Sequence, residues 1–183
     1  MAEDAVWTKD EVVTEATRLR DLFRKMFTDR GSFNAVSYLY ASRHPETGVY
    51  GKGLILVPSI GSFNQRERDV YANMLRVLGR KVSASGIIFA SESWGVDPEY
   101  LNTLGSEEAI LADYRKYNDL EEHPHRVEHL HMTLEHHRLT GTLAWFARIT
   151  RDAAGKPSLG EWDEQVWTGR REGRFVNVLP PLN

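Results

Sequence analysis

The stretch KVSASGIIFASESW, residues 81–94, decides the fold. From Gly86 to Ala90 it is apolar on both faces, which is typical of a strand with neighbours on both sides. We therefore predict a central strand here. A strand and a helix precede it in the chain, and this strand–helix–strand order over residues 49–91 indicates a right-handed parallel crossover.

Toward the N-terminus, the residues after Thr8 have the pattern of a helix. Thr8 and Glu11 are spaced as in a capping box, and Gly31 is a typical residue at which a helix ends. Between them, apolar side chains recur every three or four residues, as in a helix that packs on a core. This stripe consists of Val12, Ala16, Leu19, Phe23 and Met26/Phe27.

A second helix lies directly before the central strand. Ser62 and Gln65 form another capping box, and the helix is expected to extend to about Leu78. We predict that its buried face consists of Val70, Met74 and Val77/Leu78. Between the two helices, two strands are expected near residues 34–42 and 49–57, with a turn at 44–48.

After residue 95 the pattern is irregular as far as residue 124, with one short helix for which Ser106 is the cap. The apolar side of this helix is expected to consist of Ile110, Leu111, Tyr114 and Tyr117. The remaining chain alternates between short apolar segments and turn residues, which predicts an antiparallel meander. Its strands are expected at 126–136, 142–150, 164–168 and 175–179.

Together these elements predict an α+β fold: a mixed, mostly antiparallel sheet with two main helices packed on it and a C-terminal β-meander. The chain has 183 residues and no internal repeat or low-complexity linker. We therefore expect one globular domain over residues 1–183.

The composition narrows the class of protein. The chain contains no cysteine, which excludes disulfides, thiolate nucleophiles and cysteine-based metal sites. No segment resembles a signal peptide or a membrane span, so a cytoplasmic location is expected and no contact with a membrane. With a net charge of −3, nucleic acid is not favoured as a partner. A local basic patch that could still bind nucleic acid is the alternative, and it would consist of Arg170, Arg171 and Arg174.

The segment EHPHRVEHLHMTLEHH, residues 122–137, contains six of the seven histidines. On a strand, His129 and His131 share one face, and the apolar residues between them belong to the opposite, core-facing side. Such a pair can bind zinc together with a third ligand. The alternatives are therefore a zinc site and a polar face of a half-solvated sheet that binds no metal or other cofactor.

A second candidate site lies where the central strand ends. Glu92, Ser93 and Trp94 come before a long excursion of the chain, and long loops at strand ends often bind ligands. Glu92 and Glu128 both fall on apolar strand faces, where a carboxylate needs a partner. Arg126 is the expected partner, so the sequence predicts a polar pocket of these five residues.

Part of this pocket carries a resemblance. Ser91, Glu92 and Trp94, followed by His123, Pro124, Arg126 and Glu128, give the pattern SE-x-W … HP-x-R-x-E over about 40 residues. The pattern resembles one in uncharacterised bacterial and phage-encoded proteins. The resemblance implies that these residues belong together and that the chain has a phage or mobile-element origin. It implies no activity.

No complete catalytic motif occurs in the sequence: a phosphate-binding loop, a dinucleotide-binding glycine motif, a serine-nucleophile elbow and H-E-x-x-H are all missing. We therefore expect a non-enzymatic binding or accessory protein with an unknown protein partner or small ligand. One alternative is a metal-dependent hydrolase that uses His129 and His131 with Glu92 or Glu128 as base. A nucleic-acid-associated protein is another. Aromatic side chains in the last strands suit a core or the contact of a homodimer.

Overall fold

The computed structural model describes residues 6–59, 65–117, 119–168 and 179. Four α-helices are present in this part of the chain: α1 (Lys9–Arg30), α2 (Gln65–Lys81), α3 (Pro98–Leu104) and α4 (Glu107–Tyr114). The six strands are β1 (Val36–Arg43), β2 (Tyr50–Pro58), β3 (Gly86–Val96), β4 (Arg126–His136), β5 (Thr142–Arg151) and β6 (Pro157–Trp167). A short 3₁₀ helix, Leu120–Glu122, precedes β4.

The strands form one sheet in the order β2-β1-β3-β4-β5-β6. Every pairing in it is antiparallel, so the fold is α+β but the expected mixed sheet is wrong. The reason is the position of β1 between β2 and β3. The crossover through α2 does connect two strands of the same direction, but they are not neighbours. β3 has a neighbour on each side, as its apolar sequence predicted.

α1 covers one face of the sheet. The Thr8 capping box is present, and Gly31 ends the helix with φ of 73°, a left-handed conformation that favours glycine. The predicted stripe is buried, with Leu19, Phe23 and Phe27 among its members. These side chains pack against residues of β1, β3, β4 and β5. Each fully buried side chain of this size contributes roughly 1.5–3 kcal/mol.

α2 belongs to a second apolar cluster, on the opposite sheet face near β1 and β2. The predicted buried face was correct in part: Met74 and Leu78 pack against this cluster, but Val70 and Val77 are 62% and 56% exposed. Tyr71, Ala72 and Leu75 are buried more completely, so the centre of the apolar face lies about one position from the predicted one. The hydroxyl of Tyr71 donates a hydrogen bond to the Val57 carbonyl at 2.6 Å, which fixes this orientation. The predicted cap, Ser62, lies outside the described residues.

The excursion between β3 and β4 contains two short helices where one was expected. Ser106 caps α4, as predicted, by accepting a hydrogen bond from the Ala109 N–H at 3.2 Å. Of the expected apolar side of α4, Ile110, Tyr114 and Tyr117 are half-buried, whereas Leu111 is 46% exposed. Asp113 is the buried residue of this helix. A charged group thus anchors the excursion together with these half-buried side chains.

The C-terminal strands also differ from the expected bounds. β6 begins at Pro157, seven residues before the expected start at Glu164. The strand expected at 175–179 lies outside the described residues except for Leu179, which packs against the cluster of α2. The turn at 169–173, with Arg170, Arg171 and Arg174, is likewise outside them.

Candidate functional site

Two of the histidines in the segment 122–137 are buried and structural. His123 places Nε2 at 2.9 Å from Asp113 Oδ2, and its Nδ1 accepts a hydrogen bond from the His125 N–H at 3.0 Å. Asp113 also accepts hydrogen bonds from Lys116 and from the hydroxyl of Tyr100. These donors, Lys116 foremost, hold the pKa of Asp113 at about 2. Both nitrogens of His123 are therefore engaged in closing the excursion.

His136 is the second buried histidine. Its Nε2 lies 3.0 Å from the hydroxyl of Ser85, and its Nδ1 accepts a hydrogen bond from the Arg138 N–H at 3.0 Å. Burial lowers the pKa of His136 to about 4. The ring occupies space left by Gly86, where a Cβ atom would lie 2.3 Å from His136 Cδ2. The ring is thus a packing element of the sheet.

His129 and His131 share one face of β4, as predicted, and both side chains are half-buried on it. The His131 ring stacks on Phe146 with ring centroids 6.1 Å apart, and Phe89 lies 5.6 Å away on the other side. Burial lowers the pKa of His131 to about 4. Burial also lowers the pKa of His129, and the nearby charge of Arg148 adds to this effect. Both rings are therefore held in the neutral form at pH 7.

The surroundings of this pair bear on the zinc alternative. Across the described ranges, no group of three or more histidine, aspartate or glutamate side chains is placed to hold a metal ion. Glu92 and Glu128 belong to the opposite face of the sheet, because Glu92 pairs with Leu130 and side chains alternate along β4. The structure does not bring either predicted base to the histidine pair.

The five residues of the predicted pocket divide between two cavities that share Trp94. The first, which we call the edge notch, has a volume of about 590 Å³ and contains Glu92 and Ser93. It is also lined by Phe33, Asn34, Ala35, Ser59, Arg68, Phe89, Ser91, Asp119, Leu120 and His131.

The second cavity, which we call the arginine groove, has a volume of about 530 Å³ and contains Arg126 and Glu128. Its other lining residues are Pro124, Val127, Arg148, Ile149, Thr150 and Arg151. Trp94 lines both the notch and the groove.

The predicted partnership of Arg126 with the carboxylates is corrected by the structure. Arg151 binds Glu128 through two hydrogen bonds, at 2.7 and 3.0 Å. Arg126 and Glu128 are two residues apart on one strand, a spacing of roughly 6.5–7 Å. Arg151 instead reaches across from β5, where Ile149 stands opposite Glu128. The guanidinium of Arg126 lies over the ring of Trp94, 5.5 Å from its centroid.

Glu92 is one of the ionisable residues that line the edge notch. It accepts a hydrogen bond from the Phe33 N–H. Burial raises the pKa of Glu92, and the negative charge of Glu128 raises it further, while the hydrogen bond from Phe33 opposes them. The notch is therefore lined by a carboxyl group whose pKa is raised, Glu92, and, from the opposite face of the sheet, by a ring whose pKa is lowered, His131.

The backbone of β3 is unpaired on one side along the notch. β1 pairs with β3 only between Gly86 and Ala90. β4 pairs with β3 over its whole length, as far as Val96. Among the residues that the structure describes, no strand pairs with the β1 side of β3 beyond Ala90. This part of β3 is an edge within an otherwise internal strand.

The hydrogen bonds at the two ends of the β3–β4 ladder identify which backbone groups are free. The Asp97 N–H donates to the His125 carbonyl, and the His137 N–H donates to the Ser85 carbonyl, both at 2.9 Å. Bonded pairs alternate along an antiparallel ladder, so the odd-numbered residues of β3 bond to β4. The N–H and C=O groups of the even-numbered residues in 92–96 therefore point to the notch side.

Sequence reasoning found Glu92, Ser93 and Trp94 but missed three neighbours. Phe33 and His131 enter the notch from elements whose pairing register the sequence does not specify. Arg151 could have been suggested by its charge at the end of a strand, but only the β4–β5 register places it beside Glu128.

Comparison with known proteins adds no relative: no family model matches the chain, and no match was found among curated proteins or solved structures. The resemblance of the SE-x-W … HP-x-R-x-E pattern to phage-encoded proteins stays a prediction. The β3–β4 pairing does bring its residues together, with Trp94 opposite Glu128 and Val96 opposite Arg126. No described helix is long and apolar enough to cross a membrane.

Proposed function

We propose that this chain is a non-enzymatic binding protein whose ligand is an extended peptide segment of a partner protein. The peptide adds to the edge of β3 in the edge notch, as a further strand. The carrying observation is the row of outward-facing backbone groups at residues 92, 94 and 96, which have no strand partner among the described residues. Such edges bind extended peptides through main-chain hydrogen bonds, with side-chain pockets for selectivity.

The walls of the notch suit a peptide better than a highly charged small molecule. Phe89 and Trp94 supply apolar surface, and Ser91 and Ser93 supply hydroxyl groups. His131 is neutral at pH 7, because burial lowers its pKa to about 4. A strand of about six residues along this edge would be roughly 20 Å long. The cytoplasmic location expected from the sequence is part of this proposal.

A binding function is favoured over the hydrolase alternative by the contacts of the candidate catalytic groups. The hydroxyl of Ser91 lies 3.4 Å from Nδ1 of His131, a long contact for an activated nucleophile. The lowered pKa of His131 also makes this ring a weak base. Glu92 and Glu128 lie on the other face of the sheet.

Amide hydrogen exchange tests the open edge without knowledge of the partner. We expect slow exchange at Ser91, Ser93 and Gly95, whose N–H groups bond to β4, and fast exchange at the even-numbered residues between them. NMR on the full chain would resolve the alternation residue by residue. Equal protection of odd and even residues would show that the edge is already occupied and would overturn the proposal.

Peptide selection tests the binding itself. Peptides selected from a random-sequence display library on the immobilised full chain should slow exchange at residues 92, 94 and 96 on binding. Trp94→Pro removes one outward N–H, and Trp94→Val is the matched control that removes the same ring. The proline variant should bind roughly fivefold to tenfold more weakly than the valine variant, the value of one hydrogen bond. Equal affinities, or peptides that bind away from β3, would refute strand addition.

A further inference from the structure

Arg126 differs from the other arginines of the arginine groove in its partners. Arg151 is bound by Glu128 through two hydrogen bonds, and Arg148 lies 3.3 Å from Asp97. Among the described residues, no carboxylate lies within ion-pair distance of Arg126. The groove therefore carries one positive charge that its own acidic groups do not neutralise.

The side chain of Arg126 is exposed and contacts the ring of Trp94. The guanidinium lies over the Trp94 ring, 5.5 Å from its centroid. An arginine stacked on an aromatic ring presents its N–H groups in the plane of the guanidinium, where a carboxylate can accept two of them. Stacking also reduces the conformational freedom that the side chain would otherwise lose on binding.

Trp94 connects this charge to the edge notch, because this residue lines both cavities. A peptide on the edge of β3 would pass Trp94, and a side chain of that peptide on the α1-covered face of the sheet would point toward the groove. We propose that the arginine groove is the subsite for an acidic side chain, aspartate or glutamate, of the peptide bound in the edge notch. This inference rests on the proposed function and specifies the partner's chemistry.

The test uses the same peptide selection on the full chain. The peptides should be enriched in aspartate or glutamate at one fixed position. Arg126→Gln should weaken their binding about tenfold, as expected for a charge-assisted hydrogen bond. Arg43→Gln is the matched control, since Arg43 is also exposed and stacks on a tyrosine ring, 5.6 Å from its centroid, far from the groove. It should leave the affinity unchanged.

A double-mutant cycle isolates the contact. Changing the fixed acidic residue of the peptide to its amide should cost the same factor as Arg126→Gln, and combining both changes should cost little more than either alone. Peptides that bind on the β3 edge without an acidic preference, and that are indifferent to Arg126→Gln, would overturn this inference and leave the proposed function intact. If no peptide protects the even-numbered amides of β3, both proposals fail.

Discussion

The His131 ring offers a direct test of how dry the notch side of the sheet is. An ordinary histidine has a pKa of 6.5, and burial lowers that of His131 to about 4. Because the folded-state pKa is lower than the unfolded one, the stabilising contribution is complete above pH 6.5. It is lost as the pH falls from 6.5 toward 4, since the unfolded chain then binds a proton that the folded chain resists.

The magnitude follows from the pKa difference. One pKa unit corresponds to 1.36 kcal/mol, so the full loss is about 3 kcal/mol well below pH 4, and about 2 kcal/mol at pH 5. The ring is half-buried, and water near its edge reduces the effect. We therefore expect His131 to account for about 1 kcal/mol of the stability lost between pH 7 and pH 5.

The perturbation is His131→Phe, which keeps a ring between Phe89 and Phe146 but cannot be protonated. Urea unfolding at pH 7 and pH 5 gives the change in the free energy of unfolding for each protein. The loss between the two pH values should be about 1 kcal/mol smaller in the variant than in the parent. Thr133→Val, on the same face and without a titrating group, controls for repacking and should keep the parental loss. An identical loss in the parent and in His131→Phe would show that the ring is solvated, and the reasoning about the notch would be wrong.

Three further predictions concern Glu92, Gly86 and Asp113. Burial raises the pKa of Glu92, so its contribution to stability is present below the unfolded pKa and is lost as the pH rises through the folded one. Glu92→Gln should therefore raise the free energy of unfolding at pH 7 and have little effect near pH 4; a variant that is less stable at pH 7 would contradict this. Gly86→Ala should cost about 2–3 kcal/mol in urea unfolding, because the new Cβ would meet His136 Cδ2 at 2.3 Å and the Glu135 carbonyl oxygen at 3.0 Å. His136→Ala should recover part of that loss, and a fully additive double variant would count against the clash. The pKa of Asp113 is about 2, so its contribution is present above pH 3.8 and is lost as the pH falls toward 2; Asp113→Asn should lower Tm at pH 7 but not near pH 2, which thermal melts followed by circular dichroism would measure.

Local sequence patterns were sufficient to predict the structure wherever a residue's environment depends on its neighbours in the sequence. The Thr8 capping box, the Gly31 stop and the stripe of α1 follow from spacings of three and four residues. The central position of β3 follows from its continuous apolar run. In α2 the same reasoning placed Met74 and Leu78 on the packed face but missed Tyr71, which is held by a carbonyl 14 residues away. No periodicity within a helix reports such a bond.

The candidate site was predictable only in part for the same reason. Glu92 and Trp94 were found from their position at the end of a strand. The partner of Glu128 depends on the register between β4 and β5, which decides that Arg151 and not Arg126 reaches the carboxylate. The free edge of β3 depends on where β1 stops pairing. Both are long-range properties of the sheet that a single sequence does not encode in any local pattern.

The contact between His123 and Asp113 couples the parts of the segment between β3 and β4, residues 97–125, to one another. It links α4 to the start of β4, and Tyr100 of α3 donates to the same carboxylate. This segment also supplies Leu120 to the edge notch and Pro124 to the arginine groove. We expect it to detach from the sheet as one cooperative unit, at a free energy below that of global unfolding. The strength of one buried carboxylate–imidazole contact would then determine how often the two cavities lose part of their lining at the same time. Substitutions that weaken or strengthen this contact would therefore alter both cavities together.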